Sequence, residues 1–174
     1  MDYYEIINDG DQDVGGLLYA SEDWPYPIAR DNDDVANWQN LILELRDGEY
    51  CHFNDCVGGA TVVSPEFKNM IESFSEEDFP IEFLPVRIKS TKYGDRIYYI
   101  MHFKCIFDVT DKENTVYAEG GTGIILRLRI DKDKVRNMHV FNKVDSINNV
   151  FISEKVRHAI VENNLNLGIA FLRV

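Results

Sequence analysis

The sequence VFISEKVRHAIVENNLNLGIAFLRV, residues 150–174, decides the fold of this chain. Ser153 ends a short buried strand at 149–152, because its hydroxyl can accept hydrogen bonds from the free backbone N–H groups of a following helical turn. Val156, Ala159 and Ile160 then recur at i, i+3 and i+4, which gives a helix with one apolar face. Gly168 opens a last strand, 169–174. The stretch therefore predicts a strand, a capped helix and a second strand.

A second unit of the same kind lies near the middle of the chain. Ser64 and Pro65 form an N-cap followed by proline at the first helical position, where the missing N–H does no harm. Apolar residues follow at i, i+3, i+4 and i+7, from Phe67 to Phe74, as on the buried face of an amphipathic helix. The two main helices are thus predicted at 65–74 and 154–163.

Strand-like sequence surrounds both helices. The predicted strands are 2–7, 41–45, 60–63, 81–88, 96–104, 124–130 and 138–141. Pro85 indicates an edge strand or a bulge, because proline cannot donate to a ladder. We predict an α+β fold in which the two helices pack on one face of a mostly antiparallel, twisted sheet. Residues 1–174 are predicted to form a single domain, with an acidic, loop-rich part at 1–54 and a core at 55–174.

Composition predicts a cytoplasmic protein. No segment contains the roughly 18 uninterrupted apolar residues of a membrane span, and the first residues lack the features of a secretion signal. The chain has 3 cysteines, an odd number that favours reduced thiols. Cys51, His52 and Cys56 lie close in sequence, but no second cluster completes the four ligands of a structural zinc site. We therefore expect these cysteines to pack in the interior and no metal to bind.

Acidic residues are concentrated in the first half of the chain. The net charge is −12, but residues 1–80 contain 19 Asp and Glu against 3 Lys and Arg, whereas residues 81–174 contain 11 against 15. Such an acidic half repels phosphate backbones, which disfavours nucleic acid as a partner. It would attract a basic protein. Alternatively, the carboxylates only keep the protein soluble.

No motif predicts an enzyme or a cofactor. The glycine-rich run 120–123 precedes a strand instead of a helix and lacks the lysine of a phosphate-binding loop, so a hairpin turn is the better interpretation. The four histidines lie in different predicted elements.

One stretch invites a calcium hypothesis. Asp9, Asp11 and Asp13, with Glu22 twelve positions into a loop counted from Asp11, resemble a calcium-binding loop in part. Gly15 occupies a position where a ligand belongs, which favours a solvated turn. A calcium- or small-molecule-binding module built on this loop remains the alternative function.

A set of short stretches, taken in their order along the chain, carries a family resemblance: Val62-Val63-Ser64, Ile81 to Val86, Tyr98-Tyr99-Ile100, Asp108 to Asp111, Val140-Phe141, Phe151 to Glu154 and Gly168 to Phe171. In this order the chain resembles the immunity proteins of bacterial polymorphic-toxin systems, and in particular the large immunity family numbered eleven, formerly a domain of unknown function. The resemblance runs from about residue 55 to residue 174. Met101 and His102 depart from it, because a more polar residue is expected there, and residues 1–54 match loosely.

The resemblance implies a non-enzymatic antidote that binds a cognate toxin, but it identifies no contact residues. The acidic half agrees with a basic toxin such as a nuclease. Our hypothesis for part of the toxin-binding face is the acidic cluster Asp31, Asp33 and Asp34, flanked by Trp24 and Trp38, since aromatic residues often anchor interfaces while charges steer the approach.

Overall fold

Strands predominate in the part of the chain that the computed structural model describes, namely residues 1–9, 17–19, 38, 41–45, 53–57, 61–75, 80–120, 123–144 and 146–174. The elements are β1 (Tyr3–Asn8), β2 (Leu17–Tyr19), β3 (Leu41–Leu45), β4 (Cys56–Val57), β5 (Val62–Val63), α1 (Pro65–Glu72), β6 (Ile81–Lys89), β7 (Arg96–Phe103), β8 (Val116–Tyr117), β9 (Ile125–Arg127), β10 (Val140–Lys143), β11 (Ser146–Ser153), α2 (Glu154–Glu162) and β12 (Ile169–Arg173). Neither of these helices is long and apolar enough to cross a membrane.

The C-terminal unit belongs to a four-stranded antiparallel sheet with the order β10–β11–β1–β12. The predicted succession of strand, capped helix and strand is confirmed, since β11, α2 and β12 follow one another directly. The N-terminal strand β1 lies between the two strands of this unit. Tyr4 pairs with Ile152 of β11 on one side and with Arg173 of β12 on the other. Residues from both ends of the sequence therefore form adjacent strands of this sheet.

A six-stranded sheet contains most of the remaining strands, in the order β2–β3–β6–β7–β5–β4. Its pairs are antiparallel except for β3 and β6, which are parallel. Strands β8 and β9 form a separate two-stranded antiparallel sheet. The predicted α+β class, with mostly antiparallel pairing and two helices, is confirmed. That both helices pack on one face of a single sheet stays a prediction, as does a single domain over residues 1–174.

Pro85 lies inside the six-stranded sheet, so the predicted edge strand or bulge is wrong. Strand β6 runs between β3 and β7, and its register with β7 is unbroken. Proline is tolerated because the described pairing of β3 with β6 begins one residue later, at Leu41 and Val86, so the absent N–H removes no bond from that ladder. The Pro85 carbonyl instead accepts a hydrogen bond from the indole N–H of Trp38, at 2.8 Å.

The predicted strand 124–130 is also corrected. Only Ile125–Arg127 forms a strand, and its partner β8 is two residues long. Ile130 makes an isolated bridge with Thr110 and is buried, whereas Ile124 and Leu126 are exposed. The apolar run is therefore buried only at its end, where it meets the core.

Both predicted N-caps are confirmed. The Ser64 hydroxyl accepts a hydrogen bond from the Phe67 N–H at 3.1 Å, and the Ser153 hydroxyl accepts one from the Val156 N–H at 3.4 Å. The helices end one or two residues earlier than predicted. At the end of α2, Asn164 has a φ of 56°, a left-handed conformation that terminates helices.

A central cluster of buried side chains joins the two helices to strands of both larger sheets. Phe67 and Ile71 of α1 and Val156 and Ile160 of α2 are fully buried in it. The strands and the residues near them contribute Ile6, Cys56, Val63, Met101, Phe103, Val140, Val150, Ile152 and Ile169. Because burial of apolar surface is the dominant favourable contribution to folding, this cluster holds the two sheets together.

The two caps allow a graded test of helix stability. We expect Ser64→Ala to lower the free energy of unfolding by about 1 kcal/mol, because a helix N–H loses its acceptor. Ser153→Ala should cost more, roughly 2 kcal/mol, because that serine is completely buried and also bonds His139 Nδ1 at 2.9 Å. Denaturant unfolding measures both, with the exposed Ser73→Ala as a control that should change little. Equal midpoints for all three variants would contradict the capping assignment.

Gly168 offers a test of how the last strand is positioned. Its φ is +81°, and a Cβ there would meet the Asn54 side chain at 2.5 Å. Gly94 has a similar φ of +75° with nothing within 4 Å of such a Cβ. Both alanine variants should lose about 1–2 kcal/mol from backbone strain, and Gly168→Ala should lose roughly 1–3 kcal/mol more from overpacking against the buried Asn54. A comparison of the two thermal midpoints checks this, and equal losses would show that Asn54 moves aside freely.

A candidate binding cleft on the four-stranded sheet

The predicted partner-binding residues are only partly placed by the structure. Trp38 is half-buried, and its indole is fixed by the hydrogen bond to Pro85 and by packing against the buried residues of β3, β6 and β7. Trp24, Asp31, Asp33 and Asp34 lie outside the described residues. The grouping of these five side chains therefore stays a prediction.

The metal hypotheses find no support in the described part of the chain, where no group of three or more His, Cys, Asp or Glu side chains could hold an ion. Of the calcium loop, Asp9 lies within the described residues, and Asp11, Asp13 and Glu22 lie outside them, as do Cys51 and His52. Cys56 is completely buried, and this burial raises the pKa of its thiol. The predicted packing role of Cys56 is confirmed, because a buried, protonated thiol behaves as a small apolar side chain.

The glycine-rich run lies between antiparallel strands, as predicted for a hairpin. Strands β8 and β9 pair with each other, and the Ala118 N–H donates to the Ile124 carbonyl at 2.8 Å. Gly120 and Gly123 have φ values of 96° and 70°, which explains why glycine is used at both positions. This hairpin borders an open cleft that no pattern in the sequence predicts.

An open cleft of about 630 Å³ lies between this hairpin and the four-stranded sheet. Side chains alternate between the two faces of a strand, so Ile6 of β1 enters the central cluster with the helices while Glu5 faces the other way. Glu5, Lys143, Asn149 and Leu172 line the cleft from the strands β1, β10, β11 and β12. The cleft is therefore on the face of this sheet opposite to Ile6 and the central cluster.

The cleft has a polar floor. The side-chain amide of Asn149 donates to a carboxylate oxygen of Glu5. Burial raises the pKa of Glu5, and the positive charge of Lys143 opposes this rise. Lys143 is itself buried, and its ammonium donates to the carbonyl of the neighbouring Val144 at 3.1 Å. Three strands thus hold one acidic, one basic and one amide side chain in a site with restricted access to water.

The rim of the cleft is apolar and exposed. Leu126 of β9 is 66% exposed, Tyr117 of β8 is 41% exposed, and Leu172 of β12 is 50% exposed. An isolated two-stranded sheet is marginally stable in water, so the hairpin depends on its base. There the Thr115 hydroxyl accepts a hydrogen bond from the Arg129 N–H at 3.1 Å, and the Asp111 N–H donates to the Arg129 carbonyl at 2.9 Å.

The cleft is cationic, in contrast to the whole chain. Its lining includes Lys112, Arg127, Lys143 and Arg173, against the carboxylates Glu5 and Asp108, so that the side-chain charge is +2. Lys112 pairs with Asp108 at 2.9 Å, and Arg173 pairs with Asp2 at 2.5 Å. Arg127 forms no ion pair with any residue that the structure describes. Arg127 is also exposed.

This arrangement suits recognition of another molecule through apolar contacts and charge. The sequence carried a partial signal for it, since Val116-Tyr117 and Ile124 to Leu128 are apolar runs that flank a glycine-rich turn and include an arginine. The sequence predicts the second run only as part of a strand, because alternation alone does not show whether a second layer covers it.

Comparison with known protein families shows a match over most of the chain. Residues 29–174 match the model of the family described as Immunity protein family (Imm11). The matched region includes both helices, the larger part of the six-stranded sheet and every residue of the cleft except Glu5. No curated protein matches the chain significantly.

The half-buried Glu5 should produce a measurable pH dependence of stability. Its pKa is raised above the ordinary value of 4.5 in the folded protein, so the folded state binds this proton more tightly than the unfolded state does. Glu5 therefore contributes a loss of stability as the pH rises from about 4.5 through its folded pKa. Glu5→Gln cannot titrate, so its stability relative to the wild type should increase between about pH 4.5 and pH 7.

Urea unfolding at several pH values measures this difference. Glu162→Gln is the matched control, because it makes the same chemical change at an exposed residue of α2 outside the cleft. A difference for Glu5→Gln that falls as the pH rises would contradict the inferred effect of burial.

Proposed function

Because the chain belongs to the Imm11 immunity protein family, we propose that it binds a cognate bacterial toxin and thereby neutralises it. The family match carries this proposal, since an immunity protein acts by binding its toxin. The match covers residues 29–174 and so does not depend on one short motif. The protein would act by occupying a surface of the toxin, without chemistry of its own and without a cofactor, in the cytoplasm where the toxin would otherwise act.

The charge of the first half supports a basic toxin as the partner. Residues 1–80 have a net charge of −16, which is larger in magnitude than the −12 of the whole chain. Such a concentration of negative charge raises the rate at which a basic protein arrives and orients, and the effect weakens as salt screens it. Toxins that act on nucleic acids need positive charge to hold phosphates, so a nuclease is the class of toxin that we expect.

We assign part of the acidic surface to Asp31, Asp33 and Asp34, with Trp24 and Trp38 beside them in sequence. Four of these residues fall within the matched region 29–174, and Trp24 precedes it. Trp38 supports the assignment as an anchor, because its indole is already fixed to Pro85 and would lose little side-chain entropy on binding. In this scheme the aspartates accelerate association and the tryptophans slow dissociation.

The first test is neutralisation itself. The open reading frame beside the gene for this chain should encode the toxin, and its expression should arrest growth unless this chain is expressed with it. In vitro, an inactivated form of that toxin should bind the purified chain in a 1:1 or other fixed ratio. Failure of both protection and binding would overturn the proposal.

The second test separates the acidic cluster from the remaining charge. Replacing Asp31, Asp33 and Asp34 by asparagine should slow association with the toxin several-fold at low salt and make its salt dependence shallower. The control removes three exposed carboxylates from the other half: Glu113→Gln, Glu119→Gln and Asp133→Asn. Stopped-flow association rates that are equal for the two triple variants would show that the cluster has no special role.

Trp24→Ala should behave differently from the aspartate variant. Loss of an aromatic anchor removes contact area at short range, so the dissociation rate should rise about 10-fold or more while the association rate changes little. Surface plasmon resonance separates the two rates. An unchanged dissociation rate would exclude Trp24 from the interface.

A further inference from the structure

The exposed apolar rim of the cleft has no partner within the described part of the chain. Leu126 of the hairpin and Leu172 of β12 both line the cleft and are 66% and 50% exposed, and Tyr117, which also lines it, is exposed as well. Single exposed apolar residues are common, but a group around one concave site marks an interaction surface. A molecule that covers the cleft would remove these side chains from water.

Charge determines the chemistry of that molecule. The side chains that line the cleft have a net charge of +2, on a chain whose total is −12. Lys112 and Arg173 are held in ion pairs, and Arg127 is not paired with a described residue. A carboxylate is the complementary group, because an arginine fork can bind both of its oxygens. A basic segment would meet repulsion here, although it would be attracted by the acidic half.

Backbone geometry favours an extended segment. Strand β12 is the last strand in the order β10–β11–β1–β12, so one row of its N–H and C=O groups faces away from β1. Strand β9 of the hairpin borders the same cleft. An extended peptide can add to such an edge through main-chain hydrogen bonds while its alternate side chains enter pockets on one face.

We propose that this cleft binds an extended segment of the cognate toxin that carries acidic and apolar side chains. The proposal rests on the proposed toxin-binding function and names a second contact, distinct from the acidic half. Apolar side chains of the segment pack between Leu126 and Leu172, and a carboxylate of the segment pairs with Arg127. The half-buried Glu5 keeps its bond to Asn149 and disfavours a carboxylate at the floor, so the acidic side chains of the segment lie towards the rim.

Two pairs of variants test the cleft. Leu126→Ser removes an apolar contact and Arg127→Glu reverses the free charge. Their controls, Val161→Ser on α2 and Arg136→Glu in the turn before β10, change residues of similar exposure and charge outside the cleft. The probe is the inactivated toxin encoded beside this gene, immobilised for biolayer interferometry, and thermal unfolding confirms that each variant is folded.

The expected result is a selective loss of affinity. Arg127→Glu and Leu126→Ser should each raise the Kd about 10-fold, mainly through faster dissociation, while the two controls change it less than about twofold. Equal affinities for all four variants and the wild type would overturn the proposed role of the cleft and would leave the proposed toxin binding intact. If the wild type itself fails to bind this toxin, the result contradicts the proposed function, on which the role of the cleft depends.

A measurement without mutations gives an independent outcome. Hydrogen exchange should show that amides of β9 and β12 gain protection in the toxin complex, and cross-linking from the cleft should identify a toxin segment with a net negative charge. A protected cleft with a net basic segment would overturn the proposal. So would a concentration-dependent dimer of the free protein that Arg127→Glu abolishes, because the occupant would then be a second copy of this chain.

Discussion

The insertion of β1 between β11 and β12 is the constraint on which the rest of the structure depends. Buried backbone N–H and C=O groups must be paired, and a strand–helix–strand unit whose two strands are one strand apart leaves a gap that only another strand can fill. Residues 3–8 fill it, with Glu5 opposite Phe151 on one side and Leu172 on the other. The two ends of the chain are therefore paired with each other in one sheet. The entropy of closing so long a loop is offset by the central cluster, to which Ile6 belongs.

The same insertion creates the cleft. Once β1 is paired on both sides, the alternation of its side chains is fixed: Tyr4 and Ile6 turn to the central cluster, and Tyr3 and Glu5 turn to the opposite face. Tyr3 is covered by a buried cluster that includes Val109, Val135 and Phe141, and its hydroxyl donates to the Val135 carbonyl at 2.5 Å. Glu5 lies two residues further along the strand, past that cover. The polar side chains at the floor of the cleft therefore lie just beyond the end of this buried cluster.

Sequence reasoning predicted the local elements well, because their signals are local. Ser64 and Ser153 were recognisable as caps, and the predicted strand 41–45 has the observed bounds of β3. Pairing partners were not predictable, because the parallel pair of β3 with β6 and the insertion of β1 depend on contacts between distant parts of the chain. Pro85 shows the limit clearly. Its tolerance in a central strand depends on where β3 begins and on the distant indole of Trp38, and no pattern around residue 85 contains that information.

The two candidate binding sites also differ in how far the sequence predicts them. The acidic half was visible in composition, although four of its five proposed contact residues lie outside the described residues. The cationic cleft was invisible, because its charges come from five separate parts of the chain and the total of −12 conceals them. Opposite charges on one small protein restrict how a partner can bind, since a toxin must present basic and acidic regions in matching places to satisfy both. Such a requirement gives specificity by rejecting partners that match only one region.

The hairpin of β8 and β9 would also affect the rate at which a bound partner dissociates. Its base is fixed by the hydrogen bonds between Thr115 and Arg129 and by the buried Ile130, so the strand that contains Leu126 and Arg127 is anchored to the core at that end. A preorganised contact loses less conformational entropy on binding than a disordered loop would, and that saving appears mainly as slower dissociation. An acidic half that accelerates encounter and a fixed hairpin that delays release would act on different rate constants. In the proposed toxin complex the two effects together would give tight binding.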